Sequence, residues 1–134
     1  MPEHVHLLIC PREAAYSISA ILSTIKQSVS KQAALLVRQH EPNLVPPMTD
    51  VQPGGTSHLR FWQRGGGYDR NLWSPRHIWE TIDYIHANPV RRGLCMIDTE
   101  WEWSSARALE GTGTPQLTIN VDSLPDDPRR INAP

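Results

Sequence analysis

His4 and His6 stand two residues apart in the run His4-Val5-His6-Leu7-Leu8-Ile9, and a pair of imidazoles at that spacing has a specific chemistry to offer. On an extended strand the side chains at i and i+2 leave from one face, so the two rings point together while Val5, Leu7 and Ile9 point the other way, into a core. Neutral imidazole is a common ligand for divalent metals. A closed structural zinc site wants four protein ligands, so the pair is half a site and needs a third ligand from elsewhere in the chain. The bland alternative is a polar face on a half-exposed strand.

The second chemical group is a tyrosine. Ser74-Pro75 predicts a helix start, a hydroxyl cap followed by proline at the first helical position, and the helix runs to about Ala87 because Pro89 disfavours helical geometry at Asn88. Ile78, Thr81, Ile82 and Ile85 form its buried stripe. Tyr84 lies about a third of a turn from the centre of that stripe, on a flank shared with Glu80 and Asn88. Four residues apart, Tyr84 and Asn88 share one helix surface, so a phenol and an amide oxygen can converge on one point. A half-buried tyrosine that only packs its ring would read the same way. Glu80 and Asp83 are candidate proton acceptors near the phenol, whereas His86 faces away from it.

These groups need elements to hold them. An apolar stripe at Ile18, Ile21, Leu22, Ile25, Val29, Ala33 and Leu36 predicts an amphipathic helix from about Ser17 to about Gln39, with Lys26, Lys31 and Arg38 on its other side. Prolines 42, 46, 47 and 53 with Gly54-Gly55 predict a long irregular loop over 41–57, and His58 to Gln63 alternates as a second strand. Gly65-Gly66-Gly67 ends that strand but makes no phosphate loop and no dinucleotide fingerprint. Trp101 to Ser105 is expected to pin the tyrosine helix to the core. From Gly111 on, Leu117, Ile119 and Val121 alternate among prolines, which predicts a peripheral strand and a frayed end.

At 134 residues the chain is one domain's worth. No apolar run approaches the roughly 18–20 residues that cross a bilayer, and the opening residues are no signal peptide, so a cytoplasmic location is the expectation. Cys10 and Cys95 read as reduced, small core residues. Net charge is −1, but it is divided: ten Lys/Arg against seven Asp/Glu through Cys95, then three against seven from Met96 on. A mildly basic body with an acidic end allows nucleic-acid binding through a local patch. Arg91 and Arg92 beyond the tyrosine helix can grip phosphates, and Lys26, Arg60, Arg64 and Arg70 are further candidates, each equally readable as a surface cation. Trp62, Tyr68 and Trp73 can stack unpaired bases, though Trp62 also suits a core position.

Taken together, Pro2-Glu3-His4-Val5-His6-Leu7-Leu8-Ile9, Phe61-Trp62-Gln63, Tyr68-Asp69-Arg70, Ile82 through Leu94 and Trp101 through Ala106 closely resemble the HUH single-tyrosine transposases, above all the REP-associated tyrosine transposases. The resemblance covers roughly residues 1–108, with 109–134 a peripheral strand and loose acidic tail. It implies an α+β fold: an incomplete ferredoxin-like (split βαβ) HUH domain, an antiparallel sheet with helices on one face. It also implies that His4 and His6 are paired metal ligands with Asn88 as an amide-type third, that the ion is Mg2+ or Mn2+, and that Tyr84 is the nucleophile. The substrate would be single-stranded DNA beside a hairpin, cut to a 5′-phosphotyrosine and a free 3′-hydroxyl, in one chain or across a homodimer.

The residues fit that chemistry on their own terms. A phenol of pKa about 10 is a poor nucleophile at neutral pH and needs a base or a more electrophilic phosphorus. A divalent cation on a non-bridging oxygen supplies the second. Magnesium prefers oxygen, so two imidazoles tilt the donor set toward manganese. The family places about fifty further residues before the histidine strand, and without neighbours that strand would leave its backbone groups unpaired. A start assigned too late, a decayed remnant and completion by a second copy each account for this. Hence the alternative: an inactive transposase remnant that at most binds DNA. A small-molecule metal hydrolase is a weaker third option, since no acidic residue follows at a recognisable metal spacing.

Overall fold

The computed structural model describes residues 1, 3–113, 116 and 118–129, which divide into two compact units: 1–12 together with the described residues from 70 on, and 13–69. The chain mixes helix and strand, with one two-stranded antiparallel sheet among the described residues.

The unit 13–69 opens with α1, Ile18–His40, capped by the Ser17 hydroxyl, which accepts from the Ala20 N–H at 3.2 Å. No α1 residue is fully buried, and Leu35 and Leu36 face solvent. The expected irregular loop is instead structured. After a 3-10 turn at Pro42–Leu44 comes α2, Val45–Met48. Two prolines fit this helix because they occupy its first turn, where the missing N–H has no partner to lose. β1, Thr49–Val51, then pairs with β2, Ser57–Leu59, in the register Thr49↔Leu59, Asp50↔His58 and Val51↔Ser57. β2 stops short of the expected Gln63; one further backbone bond, from the Arg60 N–H to Met48 O at 2.7 Å, follows it. Past it, the Trp62 indole donates to the Lys26 carbonyl at 3.1 Å. Gly65 and Gly67 adopt φ of +95° and +88°, which explains glycine there.

The other unit is built on α3, Pro75–Arg91, whose N-cap Ser74 hydroxyl accepts from the His77 N–H at 3.3 Å. The helix runs past the expected stop at Ala87, with Pro89 inside it. Proline there forfeits one donor, and the end is closed by two others: the Gly93 N–H donates to Val90 O and the Leu94 N–H to Pro89 O, both at 2.9 Å. With Gly93 at φ +68° this is a Schellman closure. Ile82 of the expected stripe is buried, but Ile78, Thr81 and Ile85 are only partly so; His86, Asn88 and Pro89 complete the buried set on the helix.

A 3-10 turn at Asp98–Glu100 packs on α3 and leads to α4, Ala106–Glu110, with Ala106 fully enclosed. The Trp101–Ser105 stretch does tie the helix down, through Ser105 Oγ at 2.8 Å from His86 Nε2. The acidic end is not loose through Arg129. The Trp79 indole donates to Pro125 O at 3.0 Å, and the Arg129 guanidinium lies over the Trp79 ring and pairs with Asp83 and Asp127. Of the expected peripheral strand, Leu117 lies outside the described residues, Ile119 is in irregular backbone, and Val121–Ser123 is a 3-10 turn.

The segment 4–9 corrects the expectation most. It forms no strand, and among the described residues none of its backbone groups enters a backbone hydrogen bond. Its faces are also reversed: Val5, Leu7, Leu8 and Ile9 are exposed, while His4 and His6 are half-covered. Among the described residues no strand pairs with the segment, and its histidine side chains make contacts with each other, Asn88 and Tyr84.

Burial holds the His86 imidazole below its ordinary pKa, against the opposing pull of Asp98, Asp83 and Glu110. The unfolded chain therefore takes up this proton at a higher pH than the folded one. The stabilising difference is complete above the ordinary histidine value of about 6.5 and is lost as pH falls through the folded value. Denaturant midpoints should fall on going from about pH 7.5 to about 5.5, and the fall should be smaller in His86→Gln.

Candidate metal and tyrosine site

Four side chains from two elements meet in the unit carrying α3. His4 Nε2 and His6 Nε2 are 3.0 Å apart, their rings edge to face with centroids 4.7 Å apart at 87°. The Asn88 amide nitrogen is 3.0 Å from the same His6 Nε2. The Tyr84 ring stands against the His6 ring, 5.7 Å between centroids at 79°. Helical spacing puts Tyr84 and Asn88 on one side of α3, and period-two spacing turns both histidines toward it. Asn88 is buried at the base of the cluster, while Tyr84 is 49 % exposed at its rim. A buried amide holds the position; an exposed phenol can be reached from solution.

The donor atoms suit a cation. With metal–nitrogen bonds of about 2.1 Å, neighbouring corners of an octahedron lie about 3.0 Å apart. The two contacts to His6 Nε2, at 3.0 Å each, are hydrogen-bond lengths that also fall in the range of such an edge. Turning the Asn88 amide about its last bond presents oxygen in place of nitrogen, an assignment made from the hydrogen-bond network. Burial above all, with His4 and the chain's amino terminus adding to it, lowers the His6 pKa, which favours the neutral ring that a ligand needs. Among the described residues no group of three or more His, Cys, Asp or Glu side chains is placed to hold a metal. A cation here would rest on two imidazoles and an amide, with its other positions open to water and substrate.

One basic group stands beside the phenol's ring and another follows it at the helix end. The Arg91 guanidinium carbon is 5.6 Å from the Tyr84 ring centroid, and Arg92, the C-cap of α3, pairs with Glu3. Glu3, which the sequence did not single out, also lies 3.4 Å from His4 Nδ1. Its carboxyl is held below the usual range by a hydrogen bond from its own backbone, with Arg92 adding to this. An acid next to a histidine was visible in the sequence; its pairing with an arginine 89 positions away was not. The candidate proton acceptors are both engaged, Glu80 with Arg76 and Asp83 with Arg129. Arg70 is exposed.

Lys26, Arg60 and Arg64 belong to the unit 13–69 and are used within it. The Lys26 ammonium donates to the carbonyls of Gly65 and Gly66 at 3.0 and 3.4 Å. Arg60 and Arg64 both pair with Asp50, and these two hydrogen-bonded guanidiniums hold its carboxyl below the usual range. Of the candidate stacking aromatics, Tyr68 and Trp73 are almost wholly exposed, at 89 % and 85 %, whereas Trp62 is partly buried in packing.

In chemical class the cluster is a histidine pair and a carboxamide beside an accessible phenol, on an α+β chain. The chain is 27 % identical over 105 residues to a protein of Haemophilus influenzae (strain ATCC 51907 / DSM 11121 / KW20 / Rd) named "Putative REP-associated tyrosine transposase"; the match takes in 78 % of this chain and 54 % of that protein. The chain thus spans about half the length of the curated relative it matches. No known family profile matches it, and no solved structure does. No helix among the described residues is long and apolar enough to cross a membrane.

Proposed function

We propose that this chain is a metal-dependent single-stranded DNA endonuclease and strand transferase of the HUH transposase type, with Tyr84 as nucleophile. The observation that carries the reading is the convergence of His4, His6 and Asn88 on one point with the Tyr84 ring against it. The distant likeness to a protein named as a tyrosine transposase supports it independently. On this reading residues 4–9 stand where the HUH strand of a ferredoxin-like domain stands.

His4, His6 and the Asn88 amide would hold Mn2+ or Mg2+, which when bound supplies charge stabilisation and orientation at the phosphate. Tyr84 Oη attacks phosphorus; the new O–P bond forms as the P–O3′ bond breaks. The phenol proton passes to solvent, and the departing 3′-oxygen is protonated to a free hydroxyl. The downstream strand stays on the enzyme as a 5′-phosphotyrosine, and attack by a 3′-hydroxyl reverses the step, completing strand transfer. Arg91, beside the phenol, would hold the scissile or adjacent phosphate, with Arg92 and Arg70 contributing more weakly; Arg60, Arg64 and Lys26, in the unit 13–69, are separate candidates for DNA contact through donors not taken up by Asp50 or the glycine carbonyls. The substrate is single-stranded or hairpin DNA in the cytoplasm, met by a single chain or a homodimer.

The exposed Val5, Leu7 and Ile9 favour a second reading, a remnant that binds DNA without cutting it, because a segment with no strand partner holds its histidines less firmly. Hairpin-bearing single-stranded DNA labelled at its 3′ end separates the two. With Mn2+ present, label should move onto the protein and survive denaturation, and chelation should prevent it. Binding without label transfer, also with the family's preceding segment supplied, would favour the second reading over the first.

A further inference from the structure

We infer that Glu3 is a positioning residue for the metal site: bridging His4 Nδ1 and the Arg92 guanidinium, its carboxylate fixes the His4 ring with Nε2 turned toward His6 and Asn88. The inference rests on the reading of His4, His6 and Asn88 as metal ligands and adds a residue which that reading does not contain.

A neutral imidazole has one proton and one lone pair, and a cation bound at Nε2 requires the proton to be on Nδ1. In His4 the group facing Nδ1 is the Glu3 carboxylate, an acceptor, at 3.4 Å. That separation is long for a hydrogen bond, so the tie is one of position and charge: a carboxylate at that place favours the tautomer with the proton on Nδ1. On the other side the carboxylate is tied to Arg92 at the C-cap of α3, the helix that also bears Tyr84 and Asn88. This matters because among the described residues none pairs with 4–9 as a strand. The Arg92–Glu3–His4 chain and the Asn88–His6 contact are the two polar ties between the histidine segment and that helix among the described residues.

The test uses the full chain and Mn2+ alone, titrated calorimetrically at one fixed pH into wild type, Glu3→Ala and Glu3→Gln. Removing a carboxylate behind a ligating histidine typically costs 10- to 100-fold in metal affinity. Glu3→Ala should therefore bind Mn2+ about 10-fold or more weakly, with Glu3→Gln between it and wild type, because an amide oxygen still accepts but carries no charge. Metal-free melting temperatures should stay the same, since the pair is exposed. Nitrogen-15 shifts should show His4 losing Nδ1–H population in Glu3→Ala while His6 does not, a signature that a general loss of structure would not produce. Wild-type affinity and an unchanged His4 tautomer in Glu3→Ala would overturn the assignment and leave the metal site standing. No Mn2+ binding by wild type would overturn both.

Discussion

Tyr84→Phe is expected to abolish covalent attachment of DNA, lowering label transfer by on the order of 10^3-fold or more, while affinity for the same DNA changes about twofold at most. The substitution removes one oxygen. The ring, its edge-to-face contact with His6 and its place under the Arg91 guanidinium are all retained, so the local packing has no reason to change. Since Tyr84 is 49 % exposed, its hydroxyl is not a buried polar group whose loss would unbalance the core. Excess metal should not rescue the variant, because the missing group is the nucleophile and not a ligand. Filter binding and a denaturing gel on one set of samples check both halves. Adduct of undiminished yield would mean another side chain attacks.

The second large effect concerns the ligands. His6→Ala should weaken Mn2+ binding by at least about 100-fold, more than an outer-shell change would, and lower adduct formation at limiting metal in proportion. His6 is the hub of the cluster: its Nε2 contacts both His4 and Asn88, and its ring contacts Tyr84. Raising Mn2+ should partly restore adduct yield in His4→Ala, less in His6→Ala and not at all in Tyr84→Phe. Isothermal titration and adduct yield against Mn2+ concentration read this order directly. An equal response of all three variants to metal would contradict the division of ligands from nucleophile.

What could be read from the sequence was local chemistry. The His4/His6 and Tyr84/Asn88 spacings depend only on the periods of extended and helical backbone, and all four side chains do meet. Ser74 caps its helix as its residue type predicts, because a cap is a contact over three residues. What depended on neighbours was not legible. The strand expected at 4–9 is absent since a strand exists only with a partner, and its apolar face turns to solvent for the same reason. Pro89 inside α3 escaped because the closure supplied by Gly93 and Leu94 outweighs one lost donor. Pro46-Pro47 read as a loop, yet the first turn of a helix tolerates what its interior does not. The docking of Pro125 and Arg129 on Trp79 and Asp83, and the pairing of Glu3 with Arg92, join residues far apart along the chain, which no local pattern encodes.

That the two imidazoles and the amide gather around one divalent ion beside Tyr84 is best tested by pulsed electron paramagnetic resonance on Mn2+ added to the chain labelled with nitrogen-15 histidine. The account predicts two directly coordinated histidine nitrogens, one of them lost in His4→Ala and one in His6→Ala. A manganese signal with no histidine nitrogen coupling, or coupling unchanged in both variants, would contradict it.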